Sequence, residues 1–232
     1  MTVRLRLFLM AFCLILGMAE STAHAASDGY LPPPTRSALR SPEAAAERHY
    51  QAGLRHKGKA LNHEAKAERA NNEKTRDKYI TKANKEYAKS IENYRDALRK
   101  FTRHYKAAYE MGYALQMTGD LEKAIGAYNF ALDIHPRFWE AIEQRGEAFL
   151  DLGYLYQVKY AYLQLFRVDQ ELAARLMTAM EDWMASQPDD SETITEFRSW
   201  LNHRKALARM TTNLSLDNTP DNAHRCAVSC AG

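Results

Sequence analysis

The chain has 232 residues, of which 46% are hydrophobic and 26% charged, and a formal net charge of +3. This composition excludes a collagen-like or wholly disordered chain, and only 10 Gly and 7 Pro argue against a many-turned β-sandwich. The net charge is too small for a strongly basic nucleic-acid binder, although a sum over the whole chain hides local imbalance.

Arg4 and Arg6 precede the apolar run Leu7 to Met18, and Ala23-His24-Ala25 follows with small residues where a signal peptidase reads. This layout predicts a secretory signal peptide over residues 1–25, cleaved before Ala26. The mature chain is then expected in the periplasm or secreted. The apolar run is shorter than the roughly 20 residues that cross a bilayer. An uncleaved N-terminal segment acting as an anchor is the alternative. Phe12, large where a small residue is needed, argues against lipidation at Cys13. Export leaves Cys226 and Cys230 as the cysteines of the mature chain, and an oxidising compartment favours a disulfide between them. An intermolecular or reactive pair and a metal site are the other readings. Export also removes nucleic acid from the expected partners.

Residues 26–42 contain Pro32, Pro33, Pro34 and Pro42 and read as an extended leader. Ser41-Pro42-Glu43 then supplies an N-cap, a proline at the first helical position and an acid in the first turn. Residues 43–210 carry a helical pattern interrupted by Gly, Asn or Pro, and the polar stretch 211–232 is expected to be disordered. The expected fold class is therefore all-α.

Residues 105–136 read YKAAYEMGYALQMTGDLEKAIGAYNFALDIHP. Gly112, Leu115, Gly119, Ala124, Tyr128, Ala131 and Pro136 fall in the order and spacing of a helix–turn–helix repeat of about 34 residues, and the segment resembles the tetratricopeptide repeat family. A weaker copy follows 34 positions on, with Gly146, Phe149, Gly153 and Tyr162. It departs from the pattern at Val158, Leu165 and Gln170, where two alanines and a proline are usual. Upstream, Ser90, Tyr94 and Ala97 match the second helix alone, and Tyr50 to Gly53 resembles the missing first helix.

Gly53 and Ser90 are 37 positions apart, against 12 for Gly112 and Ala124, so the first repeat carries an insertion of 25 residues. Asn71-Asn72 at its midpoint predicts a turn, and both helices lengthen into a protruding hairpin. One continuous helix through the asparagines is the rival. Further on, a helix from Leu172 to Met184 and another through Ile194, Phe197, Leu201 and Leu207 are expected to pair as a C-terminal cap, with Trp183 and Trp200 in its core. The resemblance thus implies a short α-α solenoid with an extended hairpin in its first repeat.

No glycine-rich phosphate loop, G-x-S-x-G or H-E-x-x-H occurs in the sequence, and no catalytic role or cofactor is expected. His49, His56 and His63 recur every seven residues. On a helix that step is about 10.5 Å, too long for one ion, so they are expected to mark a solvated face with no metal. The family resemblance implies a peptide-binding groove lined by the first helix of each repeat. By alignment its positions are Glu47, Tyr50, Lys57, Lys106, Tyr109, Tyr113, Gln116, Glu140, Glu143 and Glu147. The basic clamp of chaperone-binding relatives is missing. An aromatic and acidic groove implies an extended partner, another envelope protein or peptide segment, with apolar anchors and positive charge.

The hairpin has the opposite charge. Residues 54–89 hold 11 basic residues (Arg55, Lys57, Lys59, Lys66, Arg69, Lys74, Arg76, Lys78, Lys82, Lys85 and Lys89) against 5 acids, a net of +6. After removal of the signal the rest of the chain sums to −4. Such an arm implies an anionic envelope polymer, a membrane surface or an acidic protein as a second possible partner.

Overall fold

The structure is a computed structural model that describes residues 41–187 and 191–217. The expected signal peptide, most of the leader, and Cys226 with Cys230 lie outside the described residues. Among the described residues there are eight helices and no strand: α1 Pro42–Glu68, α2 Glu73–Lys100, α3 Tyr105–Met117, α4 Leu121–Ile134, α5 Trp139–Asp151, α6 Leu155–Val168, α7 Gln170–Ala185 and α8 Glu192–Asp217. The fold is all-α. No described helix is long and apolar enough to cross a membrane.

Local chemistry starts both helices of the first hairpin where the sequence predicts. The Ser41 hydroxyl accepts a hydrogen bond from the Ala44 amide at 3.1 Å, with Pro42 just inside the helix. Asn72 caps α2 by accepting from the Thr75 amide at 2.8 Å. The chain therefore turns at residues 69–72, and α1 and α2 form an antiparallel hairpin rather than one long helix.

The seam of this hairpin consists of small residues. Ala46, Gly53, Ala60 and Ala67 are the buried positions of α1 and recur every seven residues. Against them α2 buries Ala83, Tyr87, Ser90, Tyr94 and Ala97, spaced four and three in turn. That is a heptad pattern, which keeps two helices in contact over many turns, and small side chains let them approach closely. His56 and His63 belong to the margin of this seam, not to a solvated face. His56 Nδ1 lies 2.7 Å from Glu86 Oε2, and the His63 ring stacks on Tyr79 at 6.2 Å. Their seven-residue spacing follows the seam.

Two glycines set the approach of paired helices. A Cβ built on Gly53 would lie 2.3 Å from the Tyr94 ring, and one on Gly112 would lie 2.7 Å from the Tyr128 ring. Glycine and tyrosine are 41 positions apart in the first pair and 16 in the second, a difference that equals the 25-residue insertion. The turns after α3 and α5 also match. The Asp120 amide donates to Leu115 O and the Tyr154 amide to Phe149 O, with Gly119 and Gly153 at φ +84° and +73°. Both are Schellman caps that need a left-handed residue.

The second copy departs where its sequence departs. The space above Gly146 is filled by Leu176 of α7, whose Cδ2 would be 3.0 Å from an added Cβ, and by Ala161. Tyr162 packs instead on Phe166 and Trp200, at 5.7 Å from each. Val158 and Leu165 are buried on α6 where α4 has Ala124 and Ala131. Branched side chains at a helix contact hold the axes further apart than alanine does. With Gln170 in place of a proline, α7 begins directly after Asp169, which ends α6 and caps α7 through the Glu171 and Leu172 amides. The helix expected from Leu172 therefore starts earlier.

Trp183 is buried and Trp200 half-buried in the largest apolar cluster, which joins α5 to α8. Phe197 meets Trp183 edge-on and Trp200 face-on. The last helix continues through Asp217, past the expected boundary at Met210, since no glycine or proline interrupts it before Pro220.

These contacts predict an ordering. Gly53→Ala and Gly112→Ala should each destabilise the fold by about 1–3 kcal/mol through overpacking. Gly126→Ala and Gly58→Ala, helical positions with nothing within 4 Å, should gain up to about 1 kcal/mol. Urea denaturation reads all four, and equal effects at the two classes of site would contradict the packing described.

Candidate functional site: an acidic and aromatic helix face

The first helix of each pair lies beside the next, since α1 contacts α3, α3 contacts α5, and α5 contacts α7. The ten predicted groove residues all lie on α1, α3 and α5. Within each helix they take equivalent places around the close-packing glycine: Tyr50, Tyr109 and Glu143 precede it by three residues, and Tyr113 and Glu147 follow it by one.

Glu47, Lys106 and Glu140 are exposed. The tyrosines are half-buried and engaged within the chain. Tyr50 lies against His104 at 4.8 Å and Tyr94 at 6.0 Å. Tyr109 packs edge-on to Phe138 at 4.9 Å and tilted to Tyr128 at 5.8 Å, and Tyr113 meets Tyr87 edge-on at 6.3 Å. They close the joints between successive helix pairs, so each presents only part of its ring to solvent. Burial, then neighbouring carboxylates, pushes the Tyr50 and Tyr113 hydroxyls up to about 12, and Tyr109 is raised for the same reasons. Gln116 accepts a hydrogen bond from the Tyr128 hydroxyl at 2.8 Å.

Ion pairs tie adjacent helices together along this face. Lys57 of α1 donates to Glu110 of α3 at 2.6 Å while its ammonium lies 4.0 Å from the centroid of the Tyr113 ring. Glu47 of α1 accepts from His104, the cap of α3, at 3.3 Å. Arg175 of α7 donates to Glu143 of α5 at 3.0 Å. Glu143 is only 3% exposed, so the glutamates expected on one open surface divide. Glu140 is at the surface, Glu143 is buried and paired, and Glu147 is half-buried, with no hydrogen bond or ion pair to its carboxylate among the described residues. Burial first, then repulsion from Glu143 and Asp151, raises the Glu147 carboxyl to about 8, with Arg175 opposing.

Glu110 and Arg175 were not legible as site residues. Glu110 sits between two predicted groove tyrosines, but its partner Lys57 is 53 positions away. Arg175 lies on a helix that the sequence presents as a cap. A third feature went unread in GYLYQVKYAY: Tyr156 and Tyr160, one turn apart on α6, are 79% and 57% exposed.

The basic arm divides in the same way. Lys57 is paired as above, Lys89 donates to Glu86 at 2.6 Å, Arg76 lies 4.0 Å from Glu73, and Lys82 lies 5.4 Å from the Tyr79 ring. Arg55, Lys59, Lys66, Arg69, Lys74, Lys78 and Lys85 are exposed and form no ion pair among the described residues. Among the described residues no group of three or more His, Cys, Asp or Glu could hold a metal ion. An open cleft of about 300 Å³ lies between α6, α7 and α8, lined by Tyr162, Phe166, Met177 and the Lys205–Glu181 pair.

No protein-family model matches the chain, and no curated protein matches it.

The Glu147 carboxyl gives a pH signature. Its value in the fold, about 8, lies above the unfolded value near 4.5, so folding favours the protonated form. Its contribution to stability therefore falls as pH rises from about 4.5 and is fully lost above about 8. Glu147→Gln removes that loss. Urea unfolding should find the variant more stable than the parent by at least about 1 kcal/mol at pH 9, with a smaller difference at pH 5. An equal difference at both pH values would contradict the burial described.

Proposed function

We propose that the chain is an exported tetratricopeptide-type α-α solenoid with a non-catalytic role, holding a partner protein or peptide on the α1–α3–α5 face during envelope, secretion or complex assembly. The observation that carries this reading is the face itself: partly exposed tyrosines beside carboxylates, of which Glu140 lies at the surface. The recurrence of the glycine–tyrosine approach and of the glycine turns supports the repeat assignment. The weak second copy and the α7–α8 pair then act as the cap that covers the last apolar face. The signal-like residues 1–25 support a periplasmic or secreted location.

Half-buried aromatic rings in a fixed frame offer apolar area at low entropic cost, and carboxylates around them select for positive charge. A segment that runs across three helices meets Tyr50, then Tyr109 and Tyr113, then the glutamates of α5. The second reading is binding of an anionic envelope polymer or membrane surface by the hairpin, favoured by its seven unpaired cations. The arm has no broad apolar face, so it would act at a surface by charge and not by insertion.

The two readings separate by salt and by site. In the adaptor reading, Glu140→Lys on the exposed edge of the face, or Tyr109→Ala with Tyr113→Ala, should abolish capture of the partner crosslinked in the envelope fraction. Reversal of Lys66, Lys74 and Lys78 to Glu should leave it intact. Circular dichroism controls for loss of fold in the tyrosine variant. Capture that survives the face variants and collapses with the arm variants, or at about 0.5 M salt, would assign the function to the hairpin.

A further inference from the structure

The lysines of α2 within the arm fall on one helix face. Lys74, Lys78, Lys82, Lys85 and Lys89 are spaced four, four, three and four, so they occupy an arc of about 80° around the axis. All are exposed. They extend along about 22 Å of helix, with an ammonium every 4.5 to 6 Å or about one per turn. This spacing sets like charges side by side in four successive i,i+3 or i,i+4 pairs, which destabilise a helix. A hairpin held by its own salt bridges would carry glutamates at these places. The carboxylates are drawn to the helix contact instead. Glu64 accepts from Tyr87 at 2.9 Å, and Glu86 lies 2.7 Å from His56 and 2.6 Å from Lys89, at the end of the row. Lys82 lies 5.4 Å from the Tyr79 ring, and Lys74, Lys78 and Lys85 form no ion pair among the described residues.

A second row runs along α1. Arg55, Lys59 and Lys66, followed by Arg69 at the cap, are exposed and spaced four, seven and three. Lys59 is about 200° around the helix from Lys57, which turns its ammonium to Glu110 of α3, so this row lies on the flank away from α3. The α2 row lies about 140° from the buried seam of its helix and therefore points away from α1. The two rows thus face different directions and meet at the turn, where Arg69 and Lys74 flank it. A flat surface meets one row at a time. A chain can follow both over the tip.

We propose that the arm is a track for a linear acidic polysaccharide with one carboxylate per sugar ring, which lies along the α2 lysines and passes over the turn to the α1 row. This rests on the second reading above, which gives an anionic ligand to the hairpin, and names that ligand. The α1 row and the pair Tyr50 and Lys57 lie on opposite flanks of α1, so polymer and partner protein can be held at once. Lysine is a point charge without the planar fork that grips a single anionic group, so a row of lysines reads charge density. The step between ammoniums is close to the length of one sugar ring, and a stiff chain of rings arrives with its carboxylates already spaced. Within the arc of the α2 row there is no aromatic ring on which a base would stack and no apolar area to enter a lipid layer.

The test is fluorescence anisotropy of end-labelled oligogalacturonate with the full chain. The parent should bind a twelve-ring oligomer and lose at least about tenfold in affinity between about 0.05 M and about 0.5 M salt. Lys74→Glu with Lys78→Glu and Lys85→Glu should weaken binding at least about tenfold. Arg103→Glu with Arg137→Glu and Arg167→Glu makes the same change of net charge at exposed positions outside the arm, and should leave binding within about twofold. Lys59→Glu with Lys66→Glu should weaken the twelve-ring oligomer more than a four-ring one, which is too short to pass the turn. Circular dichroism checks that each variant keeps its helical signal. Equal losses from the arm and control triples, or tighter binding of polyglutamate of the same charge, would overturn the proposal. If phosphatidylglycerol vesicles bind the parent and not the arm triple while the oligomer does not bind, the polysaccharide falls and the hairpin reading stands with a membrane surface. If neither ligand distinguishes the arm triple from the parent, the hairpin reading falls as well.

Discussion

The contact between a glycine on one helix and a tyrosine ring on the next fixes where the other parts of the face sit. At Gly53 and Gly112 the ring occupies the space a Cβ would need, so α1 and α2, and α3 and α4, lie closer than ordinary side chains allow. Close pairs are thin enough for successive first helices to touch, and that adjacency brings Lys57 within reach of Glu110 and Tyr113. A methyl group at either glycine would widen its pair and disturb the ion pairs above it. Small residues in the seam and charged residues on the face thus form one mechanical unit.

The hairpin shows how such a unit tolerates a large insertion. Its extra residues continue the seven-residue seam with Ala60 and Ala67 on one helix and Ala83 and Tyr87 on the other, so the added turns are packed like the original ones. Tyr87 also donates its hydroxyl to Glu64 at 2.9 Å across the pair, which satisfies a polar group inside the extension. Its outer faces are left to lysine and arginine. The charge separation of the molecule therefore follows from architecture: a small-residue seam has no use for charge, and the long exposed faces beside it do.

Features with a local cause were legible in the sequence. Ser41-Pro42, Asn72, Gly119 and Gly153 each act on the backbone within a few residues, and each helix boundary they imply is present. The 25-residue insertion could be measured because the same glycine and tyrosine flank it. What escaped depends on the rotation and separation of helices. Lys57 read as a groove residue and as one cation of an arm, yet its half-buried pairing with Glu110 requires α1 and α3 to be side by side. Glu143 had the spacing of an exposed glutamate stripe and became buried because α7 brings Arg175 over it. Tyr162 matched the repeat by position, but bulky Val158 and Leu165 change the packing of α6, and Leu176 takes the space above Gly146.

The central claim is that a partner lies along α1, α3 and α5 and not along the arm. Site-specific photocrosslinking in intact cells tests it most directly, with the reactive side chain placed in turn at the exposed positions Lys106, Glu140, Arg69 and Lys78. Lys106 and Glu140 should trap the same partner, while Arg69 and Lys78 trap none of it. A partner trapped from the arm positions alone would contradict the claim.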